Sequence, residues 1–281
     1  MHPTTIDEAT AMLTHHPGAM VLAGGTDAMV EINDGHRRPK GSVVVVNRIA
    51  ALRSWRHDPT AKTLTVGAGV TYTDLMRDPI ASLIPALAEA SRTVGSPQIR
   101  NAGTLGGNLG TSSPAGDGLP VLAALDAKLT LASETGTRTM AASDFTVGVK
   151  RTAMKPGELI TEITLPVVEG WQGYAKVGVR NAMVIAVASV ALVLDRPNER
   201  VAVAIGSVGP TILRCPEAEM LLAASLDWAT LTTDADALEQ FATSVSAASR
   251  PITDHRSSAE YRRHAVGVLA KRLARRAGES S

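Results

Sequence analysis

The sequence has a single cysteine, Cys215, among its 281 residues. One cysteine cannot form an internal disulfide, a cysteine-ligated zinc site or an iron–sulfur cluster. An excess of one charge is also missing, because 28 Lys and Arg residues stand against 27 Asp and Glu residues and leave a net charge of +1. So weak a field does not attract nucleic acid or an anionic membrane. Any redox chemistry would therefore need a bound organic cofactor, or a metal held by a partner.

Long hydrophobic runs are absent as well. The longest apolar run, residues 184–194, is interrupted by Ser189 and falls well short of the ~20 residues that a membrane-spanning helix needs. It predicts a buried strand instead. The N-terminus has no basic segment followed by an apolar one, so it does not resemble a secretory signal, and we expect a cytoplasmic protein.

Short strands and helices alternate along the chain and predict an α+β fold. Thr5 and Glu8 have capping-box spacing, which predicts a first helix. The composition changes near residues 169–170, which indicates a boundary between a domain at 1–169 and one at 170–281. Strands followed by helices predict that the second domain is a smaller α+β unit with a three-stranded antiparallel sheet. Its predicted strands are 173–179, 184–195 and 200–208, and its predicted helices are 215–224, 235–248 and 257–277.

Two glycine turns are the candidate ligand-binding segments. The first comprises Ala23, Gly24, Gly25, Thr26 and Asp27, and the second comprises Thr104, Leu105, Gly106, Gly107 and Asn108. Without Cβ atoms in the way, successive backbone N–H groups can converge on an anion, and two such turns suit a pyrophosphate. Neither turn is a G-x-G-x-x-G or a P-loop, and no lysine is near either in sequence, which argues against a nucleoside triphosphatase. Taken singly, each turn could be purely structural.

Other candidates for chemistry are weaker. The histidines form neither H-x-x-x-H nor H-E-x-x-H, so no metal ligands are predicted. Cys215 stands between Arg214 and Pro216 at a predicted helix start, where its pKa could fall, but no base partner is evident and an inert thiol is favoured. Residues 112–113 lack the G-x-S-x-G context of a nucleophile. No catalytic residue is predicted.

Ordered segments along almost the whole chain resemble the FAD-binding medium subunits of the molybdenum hydroxylases, a family of carbon monoxide dehydrogenase-like and xanthine dehydrogenase-like complexes. The matching segments are 23–27, 66–71, 98–108, 114–117, 144–145, 156–160 and 257–263. The resemblance implies a PCMH-type FAD-binding domain of the vanillyl-alcohol-oxidase class, with subdomains at about 1–52 and 53–169. It also implies that residues 170–281 form a C-terminal domain of the carbon monoxide dehydrogenase flavoprotein type.

The resemblance also implies roles for individual residues. The two glycine turns would wrap the FAD pyrophosphate. Asp117 would accept hydrogen bonds from hydroxyls of the nucleotide's polar chain. Ile160 would give an apolar contact to the flavin, and Lys176 would be a cation near the isoalloxazine ring that stabilises its reduced form. Because aromatic residues make up only 3% of the chain, we expect backbone donors and aliphatic side chains to hold most of the cofactor.

The function implied by the resemblance is electron transfer within a multisubunit enzyme. FAD in this chain would take electrons from [2Fe–2S] clusters in a small partner subunit and pass them to an external acceptor. The substrate would be oxidised at a molybdopterin cofactor in a large subunit, the three chains forming a heterotrimer able to dimerise.

Three residues depart from the family pattern, and two alternatives to the implied function stay open. Met183 and Val184 stand where many relatives carry an aspartate, and Val94 stands where some carry an aromatic residue. The first alternative is a free-standing FAD-dependent oxidoreductase that acts on a small molecule at its own flavin. The second is a non-enzymatic assembly protein that has kept the fold without the cofactor.

Overall fold

The computed structural model describes residues 1–35 and 41–280. The strands are β1 (Met20–Leu22), β2 (Val43–Val45), β3 (Trp55–Asp58), β4 (Thr63–Gly67), β5 (Lys128–Ser133), β6 (Gly136–Ala141), β7 (Thr146–Gly148), β8 (Arg151–Thr152), β9 (Leu159–Pro166), β10 (Gly170–Val177), β11 (Ala188–Asp195), β12 (Arg200–Gly206) and β13 (Leu213–Arg214). The α-helices are α1 (Ile6–His15), α2 (Ala28–Asn33), α3 (Tyr72–Leu75), α4 (Ile80–Leu83), α5 (Pro85–Arg92), α6 (Pro97–Ala102), α7 (Leu105–Thr111), α8 (Gly118–Ala124), α9 (Ala142–Phe145), α10 (Pro216–Ser225), α11 (Ala235–Ala248) and α12 (Ala259–Glu279). None of the helices within these described ranges has both the length and the hydropathy needed to cross a bilayer.

The N-terminal part has the order strand, glycine turn, short helix and strand after α1. The Thr5 hydroxyl caps α1 by accepting a hydrogen bond from the Glu8 N–H, and the Glu8 carboxylate bonds back to the Thr5 N–H, so the predicted capping box is present. Strands β1 and β2 pair in parallel, with Met20 opposite Val43. The first glycine turn therefore leaves the carboxyl end of β1 and leads into α2.

A five-stranded antiparallel sheet in the order β3-β4-β9-β5-β6 forms the centre of the part between residues 55 and 166. Along each strand, successive side chains point to opposite faces of the sheet. On β4 and β9, every second side chain faces the core, and Leu64, Val66, Ile163 and Leu165 are fully buried there. A small hairpin of β7 and β8 lies apart from this sheet. The hydroxyls of Ser112 and Thr146 lie 3.0 Å apart and join the hairpin to the end of α7.

The glycine-rich stretch 95–117, whose composition is typical of a surface loop, is helical over much of its length. It contains α6 and α7, whose N-termini are capped by Ser96 and Thr104. The Thr104 hydroxyl accepts from the Gly107 N–H at 2.9 Å. Three glycines in α7 lower its helix propensity, so contacts with the rest of the protein must hold this helix in place.

The C-terminal sheet has four antiparallel strands in the order β10-β11-β12-β13, not the predicted three. The extra strand has only two residues, and it pairs Leu213 with Ile205 and Arg214 with Ala204. A strand of that length cannot show the period-two alternation on which a sequence prediction depends. The three predicted long strands and the three predicted helices are all present, and the α+β class is confirmed.

This sheet is buried on both faces. From β11, Ala191 and Val193 point into the same core as α8 and the five-stranded sheet. Val190, Leu192 and Leu194 alternate with them and point into a second core formed with α10, α11 and α12. One sheet thus belongs to two hydrophobic cores.

Arg262 on α12 ties together three segments at one end of this sheet. Its side chain is 5% exposed and donates to the carbonyls of Val187 and Ser207 at 2.8 and 2.9 Å, and to Asp254 Oδ1 at 2.7 Å. Burial alone would raise the pKa of Asp254, but hydrogen bonds from the Arg256 N–H and from Arg262 outweigh it and lower the pKa to about 2. The Asp254 carboxylate is therefore a stabilising partner of a buried cation.

Replacing Asp254 with asparagine is expected to remove a pH-dependent part of the stability. Because the folded-state pKa lies below the ordinary value, this contribution is present above pH ~4 and is lost as the pH falls through about 2. The difference between the ordinary pKa and the folded-state pKa corresponds to a free energy of unfolding of about 2 kcal/mol. In urea unfolding between pH ~5 and ~2, D254N should lose less stability than the wild type, by about the contribution of Asp254. The variant D236N, at an exposed carboxylate, should follow the wild type; an unchanged pH profile in D254N would contradict the assignment.

Candidate functional site

The two glycine turns lie together on one cavity of about 450 Å³, a volume typical of small-molecule sites. Ten of the thirteen residues predicted for the cofactor site line it. They are Ala23, Gly24, Gly25, Thr26, Asp27, Thr104, Gly106, Gly107, Asn108 and Ile160. The fold thus brings together segments that are separated by about half the chain.

Close backbone packing holds the two turns in this arrangement. Gly24 lies directly on the carbonyl group of Ala102, and a Cβ at that position would overlap it. Gly106 also packs closely on Ala68, where an added Cβ would lie 2.5 Å from the Ala68 Cβ. The Thr111 hydroxyl donates to Asp27 Oδ2 at 3.0 Å and links the first turn to the end of α7.

The two turns differ in their backbone donors. Among the described residues, the N–H groups of the four residues 24–27 find no acceptor. In the second turn, the N–H groups of Leu105 and Gly106 donate to the carbonyls of Val70 and Ala68, and those of Gly107 and Asn108 donate to Thr104. The first turn can therefore donate to an anion, while the second turn leaves space at Gly106 and Gly107, which have no side chains. The expectation that both turns offer free donors is wrong for the second.

These features fit a dinucleotide with a pyrophosphate. The unpaired N–H groups of the first turn supply donors for phosphate oxygens. The glycines at 106 and 107 let the ligand approach the backbone closely. Ile160 adds an apolar wall to the same cavity.

Three predicted site residues do not line the cavity. Leu105 is fully buried in the main core. Asp117 and Lys176 instead bind each other, with Lys176 Nζ 2.7 Å from Asp117 Oδ2 and side-chain exposures of only 6% for Lys176 and 9% for Asp117. Tyr174 donates its hydroxyl to the other oxygen of Asp117 at 2.7 Å. Burial raises the pKa of Asp117, although Lys176 and Tyr174 act in the opposite direction.

Of the residues that depart from the family pattern, Val184 contacts this buried pair and Val94 is next in sequence to a residue that does. Lys176 donates to the carbonyl of Val184 at 3.1 Å and to that of Thr93, next to Val94, at 2.9 Å. Met183 is exposed and has a left-handed backbone, with φ +49°. Together with Asp117, these carbonyls account for all three N–H donors of the Lys176 ammonium group.

Sequence reasoning missed other residues of the cavity. The cavity is also lined by three residues that lie outside the sequence motifs: Glu31, Tyr72 and Lys150. Tyr72 is buried, and burial, Asp117 and Asp27 together raise its pKa, so its hydroxyl stays protonated. The capping pair of Thr71 and Asp74 is a sequence signal for the start of α3, but nothing in the spacing shows which cavity Tyr72 reaches.

Cys215 lies away from the cavity, under β12. Burial raises the pKa of its thiol to about 12, with Glu219 adding to the effect. This agrees with the interpretation of an inert thiol and rules against a lowered pKa at the start of α10.

Comparison with known proteins places this fold and cavity among flavoproteins. A family described as the FAD binding domain in molybdopterin dehydrogenase matches residues 1–168, and the CO dehydrogenase flavoprotein C-terminal domain matches residues 174–277. The nicotinate dehydrogenase FAD-subunit of Eubacterium barkeri is 37% identical over 193 residues, which cover 66% of this chain and 64% of that subunit. The glyceraldehyde dehydrogenase medium chain of Sulfolobus acidocaldarius is 32% identical over 269 residues, covering 94% of this chain and 92% of that one. A solved structure of reconstituted CO dehydrogenase from Oligotropha carboxidovorans contains a chain with a TM-score of 0.90 and 30% identity, covering 100% of this chain and 97% of that chain.

The fold and the glycine-lined cavity define an α+β protein of the PCMH-type FAD-binding class. The match to the Sulfolobus acidocaldarius medium chain and the match to the solved structure both extend over nearly the whole chain. The chain belongs to the family of FAD-binding medium subunits of the molybdenum hydroxylases, and the resemblance seen in its motifs is confirmed. It is a subunit of an oxidoreductase.

Proposed function

We propose that this chain is the electron-transferring subunit of a molybdopterin-dependent dehydrogenase or hydroxylase complex. A small partner with [2Fe–2S] clusters would deliver electrons, an external acceptor would remove them, and a large molybdopterin subunit would oxidise the substrate. The observation that carries the proposal is the cavity lined both by the first turn, with its unpaired N–H groups, and by the two glycines of the second turn. Family membership and the names of the relatives support it.

Bound FAD supplies redox chemistry that accepts electrons singly and in pairs. The task of the chain is to bind and orient the cofactor. In our proposal the free N–H groups of Gly24, Gly25, Thr26 and Asp27 hold phosphate oxygens, and Ile160 packs against an apolar part of the ligand. Thr104, Gly106, Gly107 and Asn108 form the opposite wall.

Asp117 and Lys176 enter the proposal in a different way from that first expected. Asn108, which lines the cavity, accepts a hydrogen bond from the Gly118 N–H at 3.2 Å, so Asp117 is adjacent to the cavity wall. A cation fixed behind that wall would favour a reduced, negatively charged flavin. We propose that Lys176 acts from within its buried pair, and that Leu105 contributes to the site only by packing.

The test is the flavin content and partner dependence of the purified full-length chain. We expect stoichiometric FAD to be released on denaturation, and the stripped protein to bind added FAD. The bound flavin should be reduced by a reduced iron–sulfur partner subunit, and not by small-molecule substrates offered to this chain alone. Absence of both bound flavin and FAD binding would overturn the proposal. Direct reduction by a small molecule would favour a free-standing flavoenzyme instead.

A further inference from the structure

The cavity has an unfavourable charge balance for an anionic ligand. Its described lining residues include two carboxylates, Asp27 and Glu31, and one cationic side chain, Lys150. The phosphates of a dinucleotide bring further negative charge. Since like charges repel in a partly enclosed site, the backbone N–H groups of the first turn need a cation nearby.

Lys150 is held at the cavity through its backbone. It occupies the tip of the hairpin between β7 and β8, and its N–H donates to the carbonyl of Ser112 at 3.1 Å. Lys150 and Ser112 both have left-handed backbones, with φ of +53° and +46°. A lysine is costly in this conformation, where glycine or asparagine would be easier to place. Such strain at a ligand cavity suggests that the side chain has a function.

The side chain of Lys150 can change partner. It forms an ion pair with Glu31 on α2 and so joins two walls of the cavity. Lys150 is 55% exposed and Glu31 24%, and an ion pair in contact with water contributes little to stability. A lysine ammonium on a flexible stem can therefore leave one anion for a more highly charged one at low cost.

We propose that Lys150 is the residue that neutralises the pyrophosphate of the bound dinucleotide, and that it leaves Glu31 to do so. This inference rests on the proposed function, because it takes FAD as the ligand. It assigns Glu31 the role of a competing anion that holds the ammonium group at the cavity before the ligand arrives. FAD affinity then depends on one hairpin residue that neither glycine turn contains.

The test is FAD binding by the flavin-stripped full-length chain. Binding is measured by the quenching of flavin fluorescence. K150M should weaken FAD binding roughly 10- to 100-fold, the value of one charge-assisted hydrogen bond. K150R should restore most of the affinity. K62M is the matched control, because Lys62 is also an exposed lysine in an ion pair, with Glu169, and lies outside the cavity; it should bind like the wild type.

Two further measurements separate this role from a structural one. E31Q should tighten FAD binding several-fold, and this gain should vanish in the K150M background, because no ammonium group is left to be released. The dependence of FAD affinity on salt should be weaker in K150M than in the wild type. Riboflavin, which has no phosphate, should bind equally to the wild type and to K150M.

The outcomes distinguish this inference from the proposed function. If the wild type itself does not bind FAD, the proposed function fails. If the wild type binds FAD and K150M binds it within about two-fold, with an unchanged salt dependence, the proposed function stands and the role of Lys150 is refuted. An equal loss in K150M for riboflavin and FAD would likewise refute it, since the defect would not involve the phosphates.

Discussion

Replacing Gly24 with alanine is expected to abolish retention of FAD. One added methyl group would overlap the carbonyl of Ala102, so the first turn would have to move away from the end of α6, which directly precedes the second turn. The displaced turn would no longer aim its free N–H groups at the phosphates, and hydrogen bonds to charged groups contribute about 1.5–3 kcal/mol each. Losing two of them corresponds to a weakening of at least ~100-fold. The measurement is FAD released per chain on denaturation, with titration of the stripped protein.

The chain offers a graded set of glycine controls. G148A should retain FAD, because a Cβ there would meet only the Arg151 side chain at an ordinary distance of 3.8 Å. G25A should have an intermediate effect: a Cβ at Gly25 would lie 3.3 Å from the flexible Met29 side chain, but its φ of +73° strains an alanine. Full FAD occupancy in G24A with an unchanged fold would show that close packing of the two turns is not needed for binding.

Removing one partner of the buried Asp117–Lys176 pair should have the largest effect on stability. In D117N the buried Lys176 ammonium group loses its negative partner and keeps only neutral acceptors, among them the carbonyls of Thr93 and Val184. Leaving a buried charge without its counter-ion costs about 3–5 kcal/mol. For a chain of this size that corresponds to a Tm lower by roughly 10 °C. Thermal unfolding followed by circular dichroism measures it.

The double variant D117N/K176M is the informative control. It removes both charges, so it should be more stable than D117N even though it carries one more substitution. K176M alone leaves the Asp117 carboxylate with the Tyr174 hydroxyl as its remaining partner, and should also be destabilised. If the losses of the two single variants simply add in the double variant, the pair is not coupled and its contribution has been misjudged.

Local features of the fold could be predicted where a few neighbouring residues decide the outcome. The capping box at Thr5 and Glu8 determines the start of α1. Runs rich in aliphatic and β-branched residues determine the positions of β9, β11 and β12. Helix α7 was missed because three glycines weaken it, while the Thr104 cap and packing of Gly106 on Ala68 hold it. The decisive contact lies about forty residues away in sequence.

The site shows the same division. Ten of its residues could be predicted from the two turns and from family motifs, because the residues of each motif are neighbours in sequence. The pairing of Asp117 with Lys176 depends on how β10 packs on the segment before α8, 59 residues away. Lys150 reaches the cavity only because the hairpin docks on the end of α7. The spacing of residues along the chain does not predict such contacts between distant segments.

The sheet shared by two hydrophobic cores restricts how this chain can be re-engineered. A chimera joined near residue 170, with the C-terminal half of a relative, would place foreign side chains where Ala191, Val193 and Ala204 now meet α8. Graft junctions at this position therefore need the contacting face of α8 to be exchanged together with β11 and β12. The two halves are recognisable as separate modules in sequence, but they are not interchangeable cassettes.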